Sequence, residues 1–162
     1  MLAFEIIDSG DVLLFPGDAQ AGNWLSWQDL KWELEDPKSS KKTLVSGPDL
    51  LARTVFYKVG HHGSHNATLK AKGLELMTRD DLMAMIPVDH AIAVKKHWGR
   101  MPLPGLVDRI REKAHGRVLR IDDQVKTATD LLALRPDHVD SKEWKRFIDR
   151  VDVTDLYYEL TL

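Results

Sequence analysis

Apolar residues in this chain recur with two different periods, and the switch between them marks out its elements. Phe4 and Ile6 alternate with polar neighbours, and Val12 to Phe15 is a short apolar run. Alternation by two belongs to strands, so both segments read as strands, with Asp8-Ser9-Gly10-Asp11 between them as a hairpin loop. After Asp18 the period lengthens. Trp24, Trp27, Leu30 and Leu34 recur at three- and four-residue steps and predict a helix. Asp36-Pro37 ends it, because a residue before proline is pushed out of the helical region. Lys38 to Lys42 reads as a polar, lysine-rich loop, and Lys38–Ser46 as the flexible stretch of the chain. Thr54 to Val59 is rich in β-branched and aromatic residues and predicts a strand.

The second half follows the same logic. Asn66 reads as the N-cap of a short helix through Lys72. Thr78-Arg79-Asp80-Asp81 resembles a capping box ahead of Leu82 to Ile86, and His90 to Val94 reads as a short strand. Pro102 and Pro104 open a helix with Leu103, Leu106, Val107, Ile110 and Ala114 on one face and Gly116 as its stop. Val118 to Ile121 predicts a strand, and Trp144, Phe147 and Ile148 a helix starting near Ser141. Leu156, Tyr158, Leu160 and Leu162 alternate as a closing strand with one buried face. A hairpin followed by alternating helices and strands predicts one layered α/β domain over residues 1–162.

Composition narrows the chemistry. At 162 residues, 43% of them apolar, the chain can bury a proper core. A formal charge of −2 gives no global positive field to draw nucleic acid. There is no cysteine, which excludes a thiolate zinc site, a disulfide scaffold and a thiol nucleophile. That absence fits a reducing compartment, and a cytoplasmic location is the expectation. No apolar run is long enough to span a bilayer. Met1 to Ile7 lack the basic flank and cleavage site of a signal peptide. They read as a strand already under way, which hints at a chain that was once longer and whose missing part would carry any signal.

Candidate chemistry sits where two strands stop. Leu13-Leu14-Phe15 runs into Pro16-Gly17-Asp18, and Tyr57-Lys58-Val59 runs into Gly60-His61-His62-Gly63-Ser64-His65. One turn presents a carboxylate and the other a histidine pair, mounted on strand ends where glycine lets the backbone turn sharply. Taken singly, Asp18 reads as a turn residue and His65 as an exposed loop residue or a helix-entry cap. The adjacent pair is the stronger signal, since imidazole is the commonest neutral metal ligand.

Together Leu-Phe-Pro-Gly-Asp and Tyr-Lys-Val-Gly-His-His-Gly-Ser resemble the last two metal motifs of the metallo-β-lactamase superfamily, in the branch of competence nucleases and phosphorylcholine esterases. The Pro102 helix, the Gly116–Asp122 strand and the closing strand fit the same pattern. The resemblance implies an α/β fold, the C-terminal half of a metallo-β-lactamase-like αββα sandwich with a mixed sheet and flanking helices. It implies that Asp18 bridges two zinc ions, that His62 is a ligand of the second, and that His61 lies nearer the substrate phosphate; the two histidines can also be exchanged. Such a site holds a hydroxide between the metals, whose charge lowers the pKa of the water.

The chain departs from the family in one large respect: it has no His-x-His-x-Asp-His motif. It also reads Gly99-Arg100-Met101-Pro102 where relatives often carry Gly-His-Pro. The expectation is therefore a metal-dependent phosphodiester hydrolase when complete, and a chain that is inactive or nearly so alone. Its partner would be the missing N-terminal half, supplied by the same or a separate polypeptide. The alternative is a non-catalytic interaction domain derived from that fold, which would cover its bare sheet by pairing with a second copy. Asp89-His90 and His97-Trp98 read as polar residues flanking a short strand, with a reach to the histidine edge as the other reading. Trp24 and Trp27 read as core, and Lys95, Lys96 and Arg100 as a solvated basic cluster.

Overall fold

A computed structural model describes residues 1–35, 39–123, 125–154 and 156–162. Among them, β1 (Leu2–Glu5), β2 (Val12–Phe15), β5 (Thr54–Lys58), β6 (Met83–Ile86) and β7 (Val118–Arg120) form one sheet in the order β1-β2-β5-β6-β7. β1 and β2 are the antiparallel hairpin that their alternation predicts, with Glu5 opposite Val12. From β2 onward every neighbour is parallel. Parallel strands are covered on both faces, which is why β5 reads as a continuous apolar run rather than an alternating one. The chain is thus α/β with a mixed sheet and flanking helices.

Each of the four parallel strands divides its side chains between two cores. On one face Val12, Leu14, Tyr57, Ala84 and Val118 pack with Trp24 and Trp27 of α1 (Ala21–Asp29). The same core takes Leu50 and Leu51 of α2 (Gly47–Ala52) and Val107 and Ile110 of α4 (Pro104–Lys113). On the other face Phe56, Met83 and Leu119 meet α5 (Ala128–Ala133), α6 (Ser141–Ile148) and Val151. Val151 belongs to β8 (Val151–Val153), which pairs with β9 (Tyr158–Leu160) as a separate hairpin. Trp144 anchors this second layer, its indole N–H donating to the Leu131 carbonyl at 3.0 Å. Over β1 the second face is bare: Leu2 is 61% exposed and Phe4 54%.

Several expectations need correction. The helix after Asp18 stops at Asp29, because Leu30 turns extended and Leu34 lies on β3 (Lys31–Glu35). β3 pairs with β4 (Lys42–Ser46), so most of the stretch read as flexible is a strand, with Trp32 packed on Trp27 at 5.6 Å. The helix end expected at Asp36-Pro37, and Lys38, lie outside the described residues. Residues after Asn66 form turns rather than a helix. Trp24 takes the Ala67 carbonyl at 2.9 Å, and Gln28 takes that of Lys72 at 2.9 Å, so acceptors a helix would use are bonded to α1. Leu82 to Ile86 contributes a strand, and Asp81 bonds Arg79 instead of capping a helix.

Between β6 and the Pro104 helix, residues read as a strand form α3 (His90–Lys95), capped by Asp89, whose carboxylate accepts from the Ile92 amide at 2.9 Å. The Pro104 helix ends as predicted. Gly116 sits at φ +81°, and a Cβ there would meet Pro136 at 2.5 Å. The closing strand is shorter than its alternation suggests, since Leu156 and Leu162 flank β9 and are exposed. Among the described residues no helix is long and apolar enough to cross a membrane.

Candidate functional site

Because β2, β5, β6 and β7 run parallel, their carboxyl ends share one edge of the sheet. That edge is where open α/β sheets bind ligands, since the turns leaving it are free to carry chemistry. Asp18 follows β2, the histidine pair follows β5, Asp89 and His90 follow β6, and Asp122 follows β7. Asp18 and His62 are exposed, and His61 is half-buried.

The first two turns are physically joined. Gly17 adopts φ +61° and swings the chain off the sheet. Its carbonyl then accepts the His61 amide at 2.9 Å. A Cβ on Gly60 would stand 2.3 Å from that same carbonyl oxygen, so glycine is required there by contact rather than by its own backbone angles. His61, His62 and Gly63 form a left-handed turn with φ of 43°, 56° and 63°. Each non-glycine residue in that region costs about 1–3 kcal/mol, although histidine tolerates it better than most. The turn is held from outside: the Leu103 amide donates to the Gly63 carbonyl at 2.8 Å, and Pro102 packs against the Gly63 backbone.

The two histidines meet different surroundings. His61 Nδ1 lies 2.8 Å from Ser64 Oγ, and Ser64 is buried. The Ser64 hydroxyl donates to Asn66 Oδ1 at 2.7 Å, and the Asn66 amide donates to Gln20 Oε1 at 3.1 Å, tying the histidine turn to the start of α1. The His62 ring stacks on Trp98 at 5.1 Å with a 34° tilt. His97-Trp98 thus does reach the histidine edge through Trp98. His65 lines a cleft of about 560 Å³ with Lys70, Leu69, Leu74, Leu103 and Leu106.

At the far end of the edge, the His90 amide donates to Asp122 Oδ2 at 3.2 Å, and its ring donates from Nδ1 to the Met101 carbonyl at 3.0 Å. Arg120 also bonds Asp122 Oδ2, at 2.7 Å. Asp122 Oδ1 and Arg120 Nε are buried and lack a hydrogen-bond partner among the described residues. Burial pushes the neighbouring Asp123 carboxyl up from its ordinary range, against the pull of Arg120 and Arg111.

Sequence reasoning placed Asp18, His61 and His62 at the ends of strands and read Asn66 as a helix N-cap, but it assigned no role to Ser64 or Gln20. The signal for Ser64 was its position directly after the second glycine. Gln20 offered none, since its contact spans 46 residues. As a metal centre the set is incomplete. Among the described residues no three of His, Cys, Asp and Glu are placed to hold one ion, whereas a catalytic zinc takes three protein ligands. No protein-family profile, curated protein or solved structure matches the chain.

Proposed function

We propose that this chain is the C-terminal part of a metal-dependent hydrolase of the metallo-β-lactamase type, acting on phosphodiesters when complete. The observation that carries the reading is the pairing of the Asp18 turn with the His61-His62 turn at the ends of two adjacent parallel strands, joined by the Gly17–His61 bond. A carboxylate and an imidazole pair on such rigid mounts suit a metal that activates water. The bare sheet face over β1 supports the second part of the reading: a complementary half would cover Leu2 and Phe4 and bring the remaining ligands. In this reading the isolated chain does not turn over substrate, because its own donors fall short of a metal centre.

The test is reconstitution. The purified chain is mixed with a polypeptide carrying the His-x-His-x-Asp-His half, and zinc content and hydrolysis of a bis(aryl) phosphodiester are measured. Stoichiometric zinc and turnover in the mixture, lost in Asp18→Ala, support it. Robust zinc-dependent hydrolysis by this chain alone, or none in a mixture shown to associate, overturns it.

The exposed β1 face also favours a second reading, a non-catalytic domain that pairs with its own copy through this edge. Sedimentation distinguishes them: a dimer dispersed by Phe4→Lys supports self-pairing, and a monomer at high concentration removes it.

A further inference from the structure

The relay behind His61 fixes more than the ring's position. A serine hydroxyl carries one proton. Here that proton goes to the Asn66 carbonyl oxygen, because the Asn66 amide group is already donating to Gln20 Oε1. Ser64 Oγ can therefore meet His61 Nδ1, 2.8 Å away, only as an acceptor. We infer that Ser64, backed by Asn66 and Gln20, holds the neutral His61 ring with its proton on Nδ1 and leaves Nε2 as a lone pair at the carboxyl edge of the sheet.

This assigns a chemical class to whatever meets His61. A lone pair attracts a proton donor or a Lewis acid and repels an anionic phosphoryl oxygen. His61 is then the acceptor of the pair, and contact with phosphate falls to the exposed His62, which no such relay constrains among the described residues. Ser64, Asn66 and Gln20 are positioning residues: they act through the imidazole. The assignment of the tautomer stands on hydrogen-bond geometry alone. Only the identity of the occupant rests on the hydrolase reading above.

The experiment is nitrogen-15 NMR of the histidine side chains in the full chain, without metal, at a pH where the imidazoles are neutral. Resonances are assigned with His61→Gln and His62→Gln. The expected result is an Nδ1–H, Nε2-lone-pair pattern for His61 in the unaltered chain, giving way to a mixture or to Nε2–H in Ser64→Ala. Because the first measurement uses the unaltered protein, an unfolded variant cannot mask the answer. An Nε2–H pattern in the unaltered chain overturns the inference, and so does an unchanged pattern in a folded Ser64→Ala. Neither result depends on whether reconstitution yields a hydrolase.

Discussion

The amide of His61 donates to the carbonyl oxygen of Gly17 at 2.9 Å, and that bond makes one unit of the two turns that carry the candidate chemistry. Gly60 permits the approach, since its absent side chain would fall 2.3 Å from the Gly17 oxygen. Gly60→Ala should therefore separate the turns and cost about 1–3 kcal/mol as an overpacking change. Urea unfolding gives the stability, and amide exchange at His61 reports the bond. A fully stable variant with His61 still protected would contradict the contact argument.

His62 holds φ 56° and ψ 21°, a conformation that glycine adopts without strain. His62→Gly should stabilise the chain by about 1 kcal/mol and raise its melting temperature. The stack on Trp98 works in the other direction, so a loss of stability would show that the aromatic contact outweighs the backbone strain.

Trp24 is fully buried, contacts Tyr57 edge-on at 6.3 Å and donates to Ala67. Trp24→Ala should cost about 3–5 kcal/mol. Trp24→Phe keeps most of the ring but orphans the Ala67 carbonyl, for about 1–3 kcal/mol. The phenylalanine variant should also loosen the segment around Ala67 in amide exchange, because that hydrogen bond, with the one from Gln28 to Lys72, ties the segment to α1. Equal protection in the Phe variant and the parent would show that packing and the Gln28–Lys72 bond hold it without the indole.

Glu75 accepts two bonds from Arg109, at 2.8 and 2.5 Å, and the guanidinium holds its carboxyl below the ordinary value of 4.5. The unfolded chain then binds the proton more tightly than the folded one. The pair's contribution is fully present above the unfolded value and is lost as pH falls through the lower folded value. Compared with Glu75→Gln, the parent should be more stable at neutral pH, with the difference closing in acid. A gap independent of pH would place the effect of Gln elsewhere than in this charge.

Local pattern made much of this fold legible. The β1–β2 hairpin, β5, the Pro104 helix with its Gly116 stop and the helix from Ser141 all lie where period and punctuation put them. The misreadings have physical causes. Leu30 and Leu34 continue a helical spacing from Trp24, yet Trp32 and Leu34 equally fit a strand, and the packing of Trp32 on Trp27 decides for the strand. His90 to Val94 is apolar enough for a strand, but the Asp89 carboxylate caps a helix there by accepting the Ile92 amide. Thr127 and Asp130 make the same kind of cap for α5, which the apolar spacing did not reveal.

For the candidate site the division is sharper. The sequence by itself determined which residues end strands and what chemistry they carry: Asp18 behind Gly17, and His61 and His62 behind Gly60. Periodicity and glycine placement are local, so where the strands stop is written in the sequence even though distant contacts hold the turns in shape. Only the tertiary structure decided that β2 and β5 are parallel neighbours, that Gln20 reaches Asn66 across 46 residues, and that His61 and His62 face different partners. Strand order and side-chain networks are choices among distant contacts. They are settled by which arrangement buries Trp24, Tyr57 and Phe56 while satisfying the polar groups beside them, and no local period encodes that.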